Sequence, residues 1–199
     1  MKYFIIGLHS SGKQEVVDVL EKLGVRCGKL FSNIDSPSEE VYNSHNYELY
    51  NSTDINEIFE NKAYVFMNEL ESKGNINAYK YYEGLSLYSF DNNDVFVLSP
   101  DQLISIPSKF LDDNDICYVW MDGNRFSRLN RYYSEKRTYS FADREMLERQ
   151  FDADFVKTMY SNNRKKIYFN AEDPRRVAIV LYTLIKDPDL LDLYTKFFN

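Results

Sequence analysis

The sequence predicts an α/β fold, a mostly parallel sheet with flanking helices that carries a small inserted lobe of mixed strands. Three observations predict it. The apolar run KYFIIG at residues 2–7 leads directly into a loop of glycine and serine and then into an amphipathic helix. Two later runs, VFVL at 95–98 and ICYVWM at 116–121, are apolar without alternation, the pattern of strands covered on both faces. Each of these strands ends in polar residues, and helical periodicity resumes beyond them.

Taken in order, KYFIIG is the first strand. In GKQEVVDVLEKLG, Val16, Val17, Leu20 and Leu23 share one helical face and Gly24 closes the helix. The stretch KLFSNIDSPSEEVYNSHN is polar, aperiodic and holds Pro37, so it reads as an exposed loop with room for a substrate. Residues 46–82 read as short strands around one helix at Thr53 to Asn61, whose start carries a Ser/Thr/Asp capping signal. NDVFVLSPDQL is a buried strand that stops at Pro100, and DICYVWMDG is another. Residues 124–160 then give a helix, a basic break near Lys136 to Tyr139, and a long second helix. KKIYFNAEDPRRVAIVLYTLI supplies the last strand and a helix opened by Asp173 and Pro174. Gly7, Asp101, Asp122 and Asn170 all fall at the carboxyl ends of strands, where ligands bind in folds of this class.

The loop GLHSSGKQ carries the clearest chemistry. Binding phosphate takes backbone N–H groups converging at a helix N-terminus, with a lysine adding charge. Gly7, His9, Ser10, Ser11, Gly12 and Lys13 supply those parts in the pattern GxxxxGK. The next position departs from it: Gln14 stands where a hydroxyl normally ligates Mg²⁺, and its amide oxygen accepts a metal or metal-bound water instead.

With that loop in place, the order of elements resembles guanylate kinases and related P-loop nucleoside monophosphate kinases along nearly the whole chain. LFSN resembles the strand entering the monophosphate lobe, YYEGLS the Tyr-Tyr-Gly-x-Ser segment with one residue inserted, and VFVLSPDQ the strand bearing aspartates near magnesium. NRYYSEKRTYSFADREMLERQ resembles the arginine-bearing lid, and IYFNAED the last strand with its asparagine beside adenine. The resemblance implies a P-loop NTPase fold with a core at 1–31, 94–125 and 164–199, a monophosphate-binding lobe at about 32–93 and a helical lid at about 130–145. It implies ATP and Mg²⁺ as cofactors and phosphoryl transfer to a nucleoside or deoxynucleoside monophosphate. Two other readings stand beside it: an inactive domain that binds a nucleotide or protein, and a kinase of another small metabolite.

Carried over by likeness, Lys13 holds the ATP phosphates, Asp101 with Gln14 serves the metal through water, and Asn170 faces the adenine. Arg137 and Arg149 close on the transferring phosphoryl, with Arg131 or Arg144 as substitutes. Tyr47 and Tyr82, with Ser32 and Ser86 nearby, approach the monophosphate. The departures are as definite. Ser99 replaces the first aspartate of its strand, and the loop from Ser32 to Asn43 has no arginine, leaving Lys29, Lys62, Lys73 or Lys80 as substitutes. An apolar residue near Phe66 replaces the glutamate that reads guanine, with Glu69, Glu71 or Glu83 as candidates. The connection from Ser86 to Val95 is short for the helix implied there.

Composition excludes other classes. A net charge of −7 and pI near 5.0 argue against coating of polymeric nucleic acid. No run approaches the roughly 20 apolar residues of a membrane span, so the expected location is cytoplasmic and the expected state monomer or homodimer. Two distant cysteines, Cys27 and Cys117, and two histidines, His9 and His45, form neither a disulfide framework nor a metal cluster.

Overall fold

The structure, a computed structural model, describes residues 1–34, 47–72, 79–134, 141–142, 145–146, 165–170 and 172–198. The element order is β1 (Lys2–Gly7), α1 (Lys13–Lys22), β2 (Cys27–Gly28), β3 (Leu30–Ser32), β4 (Tyr47–Leu49), α2 (Ser52–Glu60), β5 (Tyr64–Ser72) and β6 (Tyr79–Ser86). It continues through α3 (Leu87–Asn92), β7 (Val95–Leu98), α4 (Pro100–Ile104), α5 (Ser108–Asp113), β8 (Ile116–Asp122), α6 (Arg125–Ser134), β9 (Lys166–Asn170), α7 (Pro174–Lys186) and α8 (Pro188–Phe198).

Five strands form a wholly parallel sheet in the order β2-β7-β1-β8-β9. Its apolar runs are continuous because both faces are covered. Tyr3, Ile5, Val97, Val119 and Met121 face Val16, Leu20, Val177 and Leu181 of α1 and α7. Their alternates Phe4, Ile6, Leu98, Tyr118 and Trp120 pack with Leu103, Leu111 and the lobe residues Leu30, Phe66 and Leu85. Strands one residue out of phase thus feed two separate cores, the period-two geometry of a pleated strand. The second sheet is smaller and mixed, in the order β4-β3-β6-β5, with β3 and β4 parallel and the other pairs antiparallel.

The helix expected at Thr53 to Asn61 is α2. Its cap is Asn51, whose side chain accepts from Asp54 N while the Asp54 carboxylate accepts from Asn51 N, a reciprocal capping box. The connection from Ser86 to Val95 does hold a helix, the six residues of α3, started by Ser86 Oγ accepting from Ser89 N at 3.1 Å. Leu23 differs from expectation: α1 stops at Lys22, so Leu23 is the cap residue and stands 41 % exposed. The basic break and, apart from residues 141–142 and 145–146, the long second helix lie outside the described residues, as do Lys136, Arg137, Arg144, Arg149, Lys73 and His45.

Cys27 and Cys117 are free thiols. Burial, above all, pushes both up to about 12 from 9.0. A raised thiol stabilises the folded chain fully below pH 9.0 and loses that contribution as pH climbs toward 12, because only the unfolded thiol ionises freely in that window. The urea midpoint is therefore expected to fall from pH 9 upward, and a Cys27→Ser/Cys117→Ser variant to fall less steeply. Equal slopes would show that these thiols do not contribute.

Candidate functional site

The phosphate loop is shaped by two left-handed residues. Ser10 has φ 55° and Gly12 φ 86°, so the chain doubles back between the end of β1 and the start of α1. A side chain at Gly12 would be strained by that φ and its Cβ would lie 2.5 Å from Pro174 Cγ. At Gly7 a Cβ would meet Met121 O and Ser11 Oγ at 2.7 Å, so glycine also lets the loop leave the sheet between β1 and β8. The loop closes on its own lysine. Lys13 Nζ donates to Gly7 O at 2.6 Å and Leu8 O at 2.9 Å, with Ser11 Oγ at 3.5 Å.

Gly12 offers no side-chain cap to α1, which leaves the first-turn N–H groups to an anion. Two buried oxygens beside them have no hydrogen-bond partner among the described residues: Ser10 Oγ and Gln14 Oε1. The Gln14 amide is oriented by its nitrogen, which donates to Asp18 Oδ1 at 2.8 Å, so the orphaned atom is the acceptor. Uncapped N–H groups, a resident ammonium, a buried hydroxyl and a buried carbonyl fit a polyphosphate and its Mg²⁺. Asp101 lies in the first turn of α4, just past β7, which runs beside β1 with Ile6 opposite Leu98. Among the described residues no group of three His, Cys, Asp or Glu converges on a metal position.

Three arginines of α6 have different tasks. Arg125 pairs with Glu145 at 2.8 Å on the surface. Arg128 is 4 % exposed, donates from Nε to His9 O at 2.7 Å and places its guanidinium 5.5 Å from the Phe141 ring centre. His9 thus enters the site through its backbone carbonyl, held by a buried arginine 119 residues away. Arg131 comes against the loop itself: a Cβ on Gly12 would lie 3.5 Å from its Cζ, and its Nη2 donates to Glu172 O at 3.0 Å. Of the four arginines proposed for the transferring phosphoryl, the structure brings Arg131 to the loop, and the other three lie outside the described residues.

A second polar group forms where the small sheet meets the large one. Gln102 is 6 % exposed and uses both ends of its amide: Oε1 accepts from Ser99 N at 3.0 Å, and Nε2 donates to Tyr47 Oη at 2.8 Å and Glu83 Oε1 at 3.1 Å. Tyr47 Oη donates in turn to Glu83 Oε2 at 3.1 Å. Ser32 shares this face, in register with Glu83, and is 2 % exposed.

Tyr82 is one residue from Glu83, so it points to the opposite face of β6, where its hydroxyl donates to exposed Glu69 at 3.0 Å. Lys80 and Tyr82 hold the Glu69 carboxyl below its ordinary range by hydrogen bonding, with Lys80 the larger cause. The Ser86 hydroxyl is engaged as the α3 cap. Asn170 is exposed at the end of β9, opposite Asp122, on the carboxyl edge of the sheet. Gln102 and Arg128 are what sequence reasoning left without a specific role, while Glu83 is one of its three candidates for a base-reading carboxylate. The spacing Ser99 to Gln102 is legible as a capping box, but the partners of the amide nitrogen come from strands far along the chain.

No protein-family model matches the chain, and no curated protein matches it in sequence. Among solved structures, guanylate kinase from Anaplasma phagocytophilum aligns with 93% of this chain and 84% of its own, at 10% identity and a TM-score of 0.47. Deoxyadenosine kinase from M. mycoides with bound dATP aligns with 94% of this chain and 99% of its own, at 12% identity and a TM-score of 0.41. Residue roles therefore rest on the geometry of this chain.

Proposed function

We propose that the chain is an ATP-dependent phosphotransferase that holds the triphosphate on residues 7–13 and passes its γ-phosphoryl to a small nucleoside-type acceptor seated between the two sheets. The observation that carries this reading is the loop: left-handed Ser10 and Gly12, an uncapped helix start and Lys13 folded onto the loop carbonyls. The sequence resemblance implies a nucleoside or deoxynucleoside monophosphate as acceptor, with another small metabolite as the alternative.

Phosphoryl transfer asks for position and charge more than covalent chemistry. Lys13 and the loop N–H groups hold the donor, Arg131 adds positive charge beside Gly12, and the lobe seats the acceptor and excludes water. Mg²⁺, when bound, supplies charge neutralisation on the phosphates, with Gln14 Oε1 and Asp101 as the groups that would hold it or its waters. The test is coupled ADP release with ATP and Mg²⁺ against ribo- and deoxynucleosides and their monophosphates. Silence on every acceptor, together with retained ATP binding, would reject the transferase.

A second reading, a nucleotide- or protein-binding module without catalysis, is favoured by Gln14 and by the arginine-free stretch from Ser32 to Asn43. Gln14→Ser separates the two. In a transferase the new hydroxyl is expected to preserve or raise the rate and to lower the Mg²⁺ concentration for half-maximal rate, read from initial rates against Mg²⁺. In a binding module both proteins stay silent.

A further inference from the structure

The phosphate loop holds one residue that local preference argues against. Ser11 N donates to Leu8 O at 3.2 Å, which closes a turn over residues 8–11 with Ser10 at its third position. Ser10 has φ 55°, and a left-handed third residue is the place for glycine or asparagine. A serine there crowds its Cβ against the backbone, a strain that glycine escapes. Among the described residues Lys62 is the other non-glycine with a positive φ, and it is exposed just past α2.

The side chain of Ser10 carries a second cost. The residue is 8 % exposed, and its Oγ is buried with no hydrogen-bond partner among the described residues. A hydroxyl withdrawn from water without a partner destabilises the fold. The neighbouring serine behaves differently: Ser11, 1 % exposed, holds its Oγ 3.5 Å from Lys13 Nζ. Backbone strain and a buried, unmatched hydroxyl at the same residue call for a partner from outside the chain.

The surroundings decide the kind of partner. The uncapped N–H groups at the start of α1 and the Lys13 ammonium make the potential within the loop positive. In that field a hydroxyl turns its hydrogen toward an anion, and a cation is repelled. On the reading that this loop binds ATP, we propose that Ser10 Oγ donates a hydrogen bond to a phosphate oxygen of the nucleotide. The loop then grips the phosphate chain with a side-chain hydroxyl as well as with its backbone and Lys13. This hydroxyl does not replace the one missing at Gln14, because it serves the anion and not the metal. Serine at this position exchanges stability of the nucleotide-free protein for affinity.

The experiment compares wild type, Ser10→Ala and Ser10→Gly by calorimetry with ADP and with ATP, each in Mg²⁺ and in EDTA, and by thermal unfolding without nucleotide. Ser10→Ala keeps the Cβ and the strain but loses the donor. Its Kd for at least one of the two nucleotides is expected to rise about tenfold or more, by the same factor in Mg²⁺ and in EDTA. Ser10→Gly is expected to show a loss at least as large, while its unfolding midpoint without nucleotide rises by about 2 °C or more. Unchanged affinity in Ser10→Ala overturns the proposal and leaves the phosphate loop standing. A loss in Mg²⁺ that disappears in EDTA puts the hydroxyl on the metal and overturns it as well. A midpoint of Ser10→Gly at or below that of wild type overturns the exchange of stability for affinity. Wild type that binds neither nucleotide rejects the phosphate-loop reading itself.

Discussion

Replacing Lys13 with alanine is expected to lower ATP affinity by about a hundredfold, which is roughly 2.8 kcal/mol, and to remove measurable turnover. The lysine is already pointed inward: its ammonium bonds Gly7 O at 2.6 Å and Leu8 O at 2.9 Å, so it arrives at a phosphate preoriented by the loop. Alanine removes both the charge and the clasp that folds the loop over it. A charge-assisted contact to phosphate is among the stronger hydrogen bonds available to a protein. Calorimetry on ATP and ADP measures the loss, and unchanged tight binding would reject residues 7–13 as the phosphate site. Because Lys13 is only partly buried, the unfolding midpoint is expected to move little, which separates lost binding from lost structure.

Arg128→Ala is expected to cost about 3 kcal/mol of stability and to weaken ATP binding without touching any phosphate. Arg128 joins α6, which follows β8, to the loop after β1. Its guanidinium is buried between His9 O at 2.7 Å and the Phe141 ring. Removing it leaves the His9 carbonyl without that donor and opens space beside Phe141. Arg128→Lys retains charge but not the planar group that stacks on the ring, so an intermediate loss is expected. Urea unfolding and ATP titration on both variants check this. A stable Arg128→Ala protein with normal ATP affinity would show that α6 and the loop are not coupled through this residue.

The parts of the site that were legible in the sequence are those made by neighbours along the chain. Gly7, Gly12 and Lys13 are read from one octapeptide, because the strand, the turn and the helix that shape it are contiguous. The capping box of α4 is legible for the same reason, its two residues being three positions apart. Tyr47, Glu83 and Gln102 are a different matter. Tyr47 and Gln102 are 55 residues apart and Tyr47 and Glu83 are 36, and nothing in local spacing says which side of β6 faces α4. A strand turns alternate residues to opposite sides, so Tyr82 and Glu83 exchange places with a shift of one residue in register.

By itself, then, the sequence determined the strand–loop–helix unit, the doubly covered parallel strands and the arginine-free stretch from Ser32 to Asn43, because periodicity, local turn chemistry and charge are properties of the chain order. Only the tertiary structure decided that Arg128 holds the loop at His9, that Arg131 stands against Gly12, and that Glu83 rather than Tyr82 meets Tyr47 and Gln102. Those choices depend on how helix α6 meets the loop after β1 and how the small sheet registers against α4. Such contacts are fixed by packing between residues far apart in the chain, where local preference has no reach.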